Sequence, residues 1–451
     1  MNRMDRYPFL ILGFVAVFGF GVAPSGGTGL AAQEAAPAAP EADFESALFA
    51  GSGGGGEPAP DAPAGGPAAA ESAAKGGFDA AAKVVDAVRI ERLVGGTIVA
   101  DATVSASDGL GGYRATADLS GKLFAKLTVS DYGSLYAAYN AAHPFFQAYA
   151  GDGAAPPAAD PYETAFELSE LHYSFDIAKR LFVRIGNQLI AWGPSRVWTP
   201  VDFINLEKAD SFADVDLRVG KPGLRLHLLL PSSNAFLFAD FSALNADGSY
   251  GDPDRVNLGG RLDTTWKGFE FALTAYGGAR AQARFGADFS GRLLGTTVYG
   301  ELAYAEEYAS YERSLQASFG FVRALDELKR WTVSAEGFYN SRGRDLSGYT
   351  VADLGALDAN EAKSLYQGSF YAYAALSADK LLSDYLSSTL SAISNLEDRS
   401  YSVKFSERVA LPRAVPFTFA LTYAGGGAEK EFTRYAGDGA VSASLSTKIE
   451  F

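Results

Sequence analysis

The sequence predicts an all-β fold: a transmembrane antiparallel β-barrel of roughly 16–18 strands, with an inward-folded loop and a disordered N-terminal leader. First, segments of alternating apolar and polar residues follow one another from residue 93 to residue 451. Second, the chain has 50 Gly, 13% aromatic residues and a mean hydropathy of +0.00. This fits membrane-spanning strands, because only every second residue meets lipid. Third, the connections alternate short and long, and those longer than ten residues all fall on one side.

Residues 1–31 have the pattern of a secretory signal peptide. Arg3 and Arg6 precede an apolar run from Tyr7 to about Val22, and small residues then lead to an acceptable cleavage site ending at Ala31. The alternative is a single membrane anchor. It is less well supported, because the run is short for a hydrocarbon core of about 30 Å and is interrupted by Gly and Pro.

Residues 32–92 are expected to form a disordered periplasmic leader. From about Gln33 to Lys75 the chain consists mainly of Ala, Pro, Gly and Glu, which bury too little apolar surface to offset the loss of chain entropy. Two short apolar segments, 44–49 and 78–88, interrupt this composition. They could dock on a periplasmic partner or inside the barrel, or fluctuate without a partner.

The barrel is predicted over residues 93–451, where side chains alternate between an apolar and a polar face. In the last strand the residues from Val441 to Ile449 alternate in this way, with the apolar set facing lipid and the Ser residues facing the lumen. The apolar parity changes between Leu168 and Leu171, which predicts a β-bulge there.

Charged strand residues are predicted to face the lumen, since an Arg or Lys on the lipid face would cost about 2–4 kcal/mol at the membrane midplane. The inward set consists of Arg184, Arg225, Arg255, Arg261, Arg284, Lys404, Lys448, Glu170, Asp263, Glu270, Asp288, Glu301, Glu336 and Glu450. Two interpretations stay open. The charges pair across neighbouring strands, or some of them remain unpaired and select the permeant.

Several classes of function are disfavoured. The net charge of −15 disfavours a nucleic-acid partner, because binding phosphates requires a basic surface. The chain has no Cys, which excludes disulfides and thiolate catalysis. The three His residues lie in separate segments without metal-ligand spacing, and no serine-hydrolase or phosphate-loop motif occurs. We therefore predict no catalytic residue, no metal, no cofactor and no enzymatic activity.

The connection 192–216, which follows a strand over 180–191, is the strongest candidate for a functional site. It is the third outer connection and is too apolar for a surface loop. We expect it to fold into the lumen, where each fully buried apolar side chain contributes roughly 1.5–3 kcal/mol. The predicted pore-constriction residues are Arg184, Gln188, Arg196, Trp198, Asp202, Asn205 and Arg225.

Two contacts are expected within this set: an ion pair between Arg184 and Asp202, and a hydrogen bond from Gln188 to a carbonyl of the connection. In a partly desolvated constriction such charges act more strongly than in bulk water. In the alternative interpretation the network only pins the connection, and the solute never touches it.

Three runs in this region, 182–188, 192–196 and 200–205, fit the pattern R-x-G-x-Q-x-x-x-W-G…P-x-D-x-I-N. This resembles the signature of an uncharacterised group of porin-like outer-membrane barrels, including spirochaete ones. The resemblance implies an outer-membrane barrel and no particular substrate. The connection lacks the acidic, Gly-containing constriction motif of general-diffusion porins. Resemblance to other outer-membrane barrels also implies that the terminal Phe451 is the recognition residue for the barrel-assembly machinery; otherwise it is an ordinary interfacial aromatic residue.

A barrel of this size leaves an aqueous lumen unless something plugs it. The main hypothesis is therefore a porin-like outer-membrane channel for passive diffusion of small polar solutes. One alternative is a non-conducting surface barrel acting as an adhesin through outer loops such as 342–365. Another is an export conduit for a polysaccharide or lipid. The expected partners are outer-membrane lipid, the barrel-assembly machinery and the solute, with a second copy of the chain in a homo-oligomer as a further candidate.

Overall fold

The computed structural model of the chain contains eighteen β-strands. It describes residues 90–451 except 108–111, 130–132, 151–163, 206–211, 246–254, 279–280, 309–311, 329, 344–365, 367, 381–382, 413, 429 and 434–437. The strands are β1 (Ile90–Ser107), β2 (Gly112–Val129), β3 (Gly133–Ala150), β4 (Ala165–Ile177), β5 (Leu181–Gln188), β6 (Lys221–Leu229), β7 (Ser233–Asp240), β8 (Asn257–Trp266), β9 (Phe269–Gly278), β10 (Ala281–Leu293), β11 (Thr296–Ala305), β12 (Ser314–Ala324), β13 (Trp331–Asn340), β14 (Phe370–Asp379), β15 (Leu386–Asn395), β16 (Tyr401–Val409), β17 (Phe417–Gly425) and β18 (Ala440–Glu450). Among the described residues, no helix is long and apolar enough to cross a membrane.

The strands form one closed antiparallel barrel. Each strand pairs with its neighbours along the chain, and β1 closes the barrel by pairing with both β2 and β18. At the seam the backbone N–H of Gly96 donates to the carbonyl of Phe451 (3.0 Å), and the N–H of Phe451 donates to the carbonyl of Gly96 (3.1 Å). Closure leaves no free sheet edge. The predicted all-β barrel is confirmed, at the upper end of the predicted strand number.

The two faces of the barrel differ as the alternation predicts. In β18, Val441 and Ile449 are 48% and 41% exposed on the outside, whereas Ser442 and Ser446 are buried on the inside. Large apolar side chains such as Leu273 and other Leu and Phe residues are likewise exposed on the outer face of other strands. An apolar outer surface on a closed barrel is the arrangement that a lipid bilayer requires.

Short and long connections lie at opposite ends of the barrel. At one end, two-residue turns such as Lys267-Gly268 and Leu294-Gly295 join consecutive strands, and all four residues have positive φ, as type I′ turns require. The other end, which we call the outer end, carries every connection longer than ten residues: 151–164, 189–220, 241–256, 341–369 and 426–439. The predicted sorting of connections by length is confirmed.

The barrel begins at Ile90, slightly before the predicted boundary at residue 93. The predicted signal peptide and most of the predicted leader, up to residue 89, lie outside the described residues. Most of the outer loop 342–365 lies outside them as well.

The predicted bulge lies in β4. The pairing of β3 with β4 steps from Ala138–Glu170 to Tyr139–Leu168, so Ser169 is the extra residue. Ser169 is fully buried, and its carbonyl accepts the backbone N–H of Gly220 at 2.9 Å. The bulge therefore does more than restore the apolar alternation of β4, because it also binds the end of the connection between β5 and β6.

Some of the inward charges pair with one another. Arg261 of β8 binds Asp263 on its own strand (2.7 Å) and Asp288 of β10 (2.6 Å). Near the end of β18, Lys448 and Glu450 are 2.7 Å apart. These groups are therefore paired, but within one strand or between strands two apart, and not across neighbouring strands as the first interpretation expected.

Candidate functional site

The connection between β5 and β6, residues 189–220, turns into the barrel. Its buried apolar side chains are Ile190, Trp192, Val197, Trp198, Val201, Phe203 and Ile204. They pack against lumen-facing wall residues from β7 to β14, including Phe238, Ala303 and Phe338. The Trp198 ring is stacked on Phe338, with centroids 5.5 Å apart and planes 7° apart. The predicted inward fold of this connection is confirmed.

Glycines in the wall make room for this connection. A Cβ atom on Gly286 of β10 would lie 3.0 Å from Val201 and 3.1 Å from Phe203, and one on Gly259 of β8 would lie 3.1 Å from Trp192. Because these distances are shorter than ordinary van der Waals contacts, a side chain at either position would push the connection away from the wall.

Glu336 of β13 holds the apex of the connection by its backbone. The Glu336 carboxylate accepts hydrogen bonds from the N–H groups of Arg196 (3.0 Å), Val197 (3.2 Å) and Trp198 (2.8 Å). The Tyr299 hydroxyl also donates to it, at 2.9 Å. Four donors on one buried carboxylate compensate the desolvation of its charge.

Glu301 of β11 holds the residues on either side of the apex. Its carboxylate accepts the N–H groups of Ser195 (2.8 Å) and Val201 (2.9 Å). Gly193 has a φ of 102°, and a Cβ atom there would lie 2.3 Å from the Glu301 carboxylate. Only glycine permits this approach. The Ser195 hydroxyl also lies 2.7 Å from that of Ser318 in β12.

The two ends of the connection are fixed next to the bulge. Glu170 binds Lys122 of β2 at 2.6 Å and accepts the N–H of Leu189 at 3.2 Å. On the returning side the Asn140 amide donates to the carbonyl of Leu217 at 2.6 Å. The connection is therefore anchored at both ends and at its apex.

Asp202 pairs with two residues of its own connection. Its carboxylate lies 3.3 Å from the Arg218 guanidinium, and it accepts the Asn205 amide at 2.8 Å. The predicted ion pair of Asp202 with Arg184 stays a prediction. Arg184 donates to the hydroxyl of Ser174, its register partner on β4, at 3.2 Å. The connection doubles back on itself, which brings Arg218 to Asp202.

Gln188 is fully buried, and its amide donates to the carbonyl of Gly223 at 3.4 Å. Gly223 belongs to β6, so the predicted bond to a carbonyl of the connection is wrong. In the register of β5 and β6, Gln188 stands opposite Lys221, two residues before Gly223, so its amide lies next to the neighbouring strand.

Arg184 and Arg225 stand directly opposite each other in the register of β5 and β6. The Arg225 guanidinium lies over the Phe236 ring, 5.3 Å from its centroid, in a cation–π contact. The two arginines therefore lie side by side on this part of the lumen wall.

Arg196 differs from the other predicted site residues. Its backbone is held by Glu336, whereas its guanidinium makes no hydrogen bond, ion pair or ring contact with the residues that the structure describes. The side chain is half-buried. The connection thus carries a cation into the lumen without a bound counter-charge in the described part of the chain.

Two aspartates on the returning part of the connection have opposite pKa shifts. Burial raises the pKa of Asp214 to about 6, although Lys404 and Lys448 nearby act to lower it. Burial also acts to raise the pKa of Asp216, but the Arg218 guanidinium, 2.8 Å away, outweighs it and holds that pKa below its usual range. Asp216 therefore stays charged where Asp214 becomes neutral.

No protein-family model and no curated protein matches the chain. Among solved structures, the fold is similar to that of Acinetobacter baumannii OccAB1, at 10% sequence identity and a TM-score of 0.50, covering 80% of this chain and 96% of that one. A BenF-like porin from Pseudomonas fluorescens Pf-5 is similar at 11% identity and a TM-score of 0.50, covering 80% and 98%. Pseudomonas aeruginosa OprD is similar at 7% identity and a TM-score of 0.50, covering 79% and 95%. These likenesses show that the fold is of the porin type.

Sequence reasoning missed the partners of Glu301 and Glu336. The alternation of side chains placed both glutamates on the lumen face. Their partners are backbone N–H groups, which nearly every residue has, so the sequence does not show which of them each glutamate binds. Arg218 lies just beyond the predicted connection.

Among the described residues, no group of three or more His, Asp or Glu is arranged to hold a metal ion.

Proposed function

We propose that the chain is an outer-membrane channel for the passive diffusion of small polar solutes. One observation carries the proposal: the connection between β5 and β6 is tied across the lumen to Glu301 and Glu336. A barrel of this size has an aqueous interior. Tying a connection across that interior narrows it, and such a narrowing selects solutes by size and charge.

Arg196 is the residue that we assign to solute contact. Its backbone is fixed, and its guanidinium has no bound counter-charge among the described residues. Arg184 and Arg225 lie side by side on the lumen wall. A fixed cation in a partly desolvated constriction acts on a passing ion far more strongly than it would in bulk water, so the pore should favour anions at this point.

The test is a planar-bilayer recording of the purified barrel in a salt gradient. The unchanged chain should form steady pores, and Arg196→Gln should shift the reversal potential toward cations. Arg313→Gln is the matched control, because Arg313 lies in the exposed outer turn between β11 and β12, paired with Glu306 at 2.9 Å. Absence of pores would overturn the channel function. An Arg196→Gln reversal potential equal to that of the unchanged chain would overturn the assignment of Arg196.

A further inference from the structure

The last outer connection, between β17 and β18, contains a turn that is buried to an unusual degree. Glu431, Phe432 and Thr433 are only 1%, 7% and 1% exposed. Connections of this kind normally run over the surface and expose polar side chains. The turn, residues 430–433, is closed on itself by the Thr433 N–H, which donates to the Lys430 carbonyl at 3.1 Å.

A buried carboxylate fixes this turn to the barrel wall. The Glu431 side chain accepts the Tyr371 hydroxyl of β14 at 2.6 Å and the Asn395 amide of β15 at 2.6 Å. A charge brought from an outer connection into the interior is costly unless such donors compensate it. The pairing therefore holds Glu431 at one place on the wall.

The backbone of the same turn is bound to the neighbouring outer turn, residues 396–400. The N–H of Glu431 donates to the Asp398 carboxylate at 2.8 Å, and the N–H of Phe432 donates to the Ser400 hydroxyl at 3.3 Å. Asp398 is itself fixed by the N–H of Ser400 at 2.7 Å. The buried side chains of Asp398 and Ser400 thus join two outer connections.

The ring of Phe432 lies in the same buried cluster as the apex of the β5–β6 connection. That cluster contains Trp198 and Val197 from the apex together with Phe338 and Tyr371 from the wall. Trp198 and Tyr371 have ring centroids 6.0 Å apart. Tyr371 is therefore shared: its ring packs with Trp198, and its hydroxyl binds Glu431.

We propose that the turn 430–433 is a second constriction element of the pore, with Glu431 as its positioning residue. This proposal rests on the proposed channel function. Glu431 holds Phe432 in the Trp198 cluster, so the apex of the β5–β6 connection is secured by a second connection as well as by the wall. Loss of the Glu431 contacts should release the turn, loosen the apex and widen the pore.

The position of the turn can be measured by thiol modification, independently of electrical recordings, because the chain has no native Cys. Thr433→Cys places one thiol at a buried site, and Ala428→Cys places one at an exposed site of the same connection. A charged, water-soluble thiol reagent should modify the buried thiol slowly and the exposed thiol quickly. Adding Glu431→Gln should raise the reactivity of the buried thiol by about tenfold or more, since Gln keeps one acceptor oxygen but loses the charge that strengthens both hydrogen bonds.

The effect on the pore is read from the largest polyethylene glycol that enters it. Glu431→Gln and Phe432→Ala should both admit larger polymers, whereas only Glu431→Gln should expose the Thr433→Cys thiol. This split separates positioning by Glu431 from filling by Phe432. Glu306→Gln is the matched control, because Glu306 also accepts a tyrosine hydroxyl, that of Tyr304 at 2.6 Å, in an outer turn remote from the cluster.

Heat-modifiable migration should show that each variant has formed a barrel. Equal reactivity of the two thiols in the otherwise unchanged chain would overturn the proposal. So would a Glu431→Gln variant with a protected thiol and an unchanged polymer limit. If the unchanged chain forms no pore, the channel function fails, whereas the thiol pattern still decides whether Glu431 positions the turn.

Discussion

The backbone N–H of Trp198 donates to the carboxylate of Glu336 at 2.8 Å. Trp198 lies in the connection between β5 and β6, whereas Glu336 lies on β13, seven strands further along the barrel than β6. The aromatic ring of Trp198 is held on the same strand through Phe338. One residue thus ties the apex of the connection to β13 through both its backbone and its side chain.

Replacing Glu336 should release this apex. In Glu336→Ala, three backbone N–H groups lose their acceptor, and each charge-assisted bond contributes roughly 1.5–3 kcal/mol. Single-channel conductance should rise, and limited proteolysis should cut within 189–205. Glu270→Ala is the control, because Glu270 is an exposed lumen residue of β9 near the short-turn end. An unchanged conductance and cleavage pattern in Glu336→Ala would contradict the prediction.

The pairing of Asp202 with Arg218 can be tested by a double-mutant cycle. Both side chains are nearly buried, at 3% and 10% exposure. Breaking the pair removes one charged partner from each, while Arg218 keeps Asp216 and Asp202 keeps Asn205, and should cost about 1.5–3 kcal/mol. The double variant Asp202→Asn/Arg218→Gln should be far less destabilised than the sum of the singles, as measured by denaturant unfolding in detergent. A second cycle, of Asp202→Asn with Arg184→Ala, tests the predicted ion pair with the wall. Coupling of Asp202 to Arg184 and not to Arg218 would refute this pairing.

Asp214 should give the pore a pH dependence. Its pKa is about 6, raised by burial and by Asp101 and lowered by Lys404, Lys448 and Arg408. As pH falls through that value the lumen loses one negative charge, so the pore should become more anion-selective between about pH 7 and about pH 5.

The raised pKa of Asp214 also makes the free energy of unfolding depend on pH. The folded state binds this proton more tightly than the unfolded state, so the contribution of Asp214 is fully present at low pH and is lost as pH rises through about 6. Reversal potentials across this range would show the step in selectivity. Asp214→Asn should abolish it, and Asp216→Asn should leave it, because Arg218 keeps Asp216 charged throughout. A step that survives Asp214→Asn would assign it to another group.

Phe451 is suited to test whether the assembly machinery reads an aromatic ring. Its ring is 61% exposed, while its backbone bonds with Gly96 close the barrel seam. Deletion of Phe451 removes both features, Phe451→Ala removes the ring alone, and Phe451→Tyr keeps an aromatic ring. We expect the deletion and Phe451→Ala to accumulate as degraded or aggregated protein, and Phe451→Tyr to insert. Heat-modifiable migration of outer-membrane fractions measures this, and normal barrel from the deletion would end the hypothesis.

The barrel could be predicted because apolar and polar side chains alternate along each strand, and this alternation is visible in the sequence. The parity change at Leu168 and Leu171 even located the bulge at Ser169. The quoted sequence pattern also has a structural reason. Gly186 has a φ of 127°, and a Cβ atom there would lie 2.2 Å from the Leu171 carbonyl oxygen, so the first glycine of the pattern allows β4 and β5 to approach.

The contacts inside the lumen could not be predicted in the same way. The contact of Asp202 with Arg218 was not predicted, because charge alone does not say which cations lie near a carboxylate after the chain folds. Glu336 binds backbone groups, which every residue possesses. Phe432 reaches the Trp198 cluster from the last connection of the barrel, a contact that no local pattern contains.

The anchoring of the β5–β6 connection also implies an order of events during folding. Ser195 and its acceptor Glu301 are 106 residues apart in sequence, and Trp198 and Glu336 are 138 apart. Such contacts form late, since the entropy of closing long loops must be overcome first. The growing sheet must curl until β11 and β13 reach the connection. In a folding intermediate that has not reached this stage, the lumen is wide, and the N–H donors and the carboxylates remain hydrated. Only the completed barrel therefore has the narrow lumen.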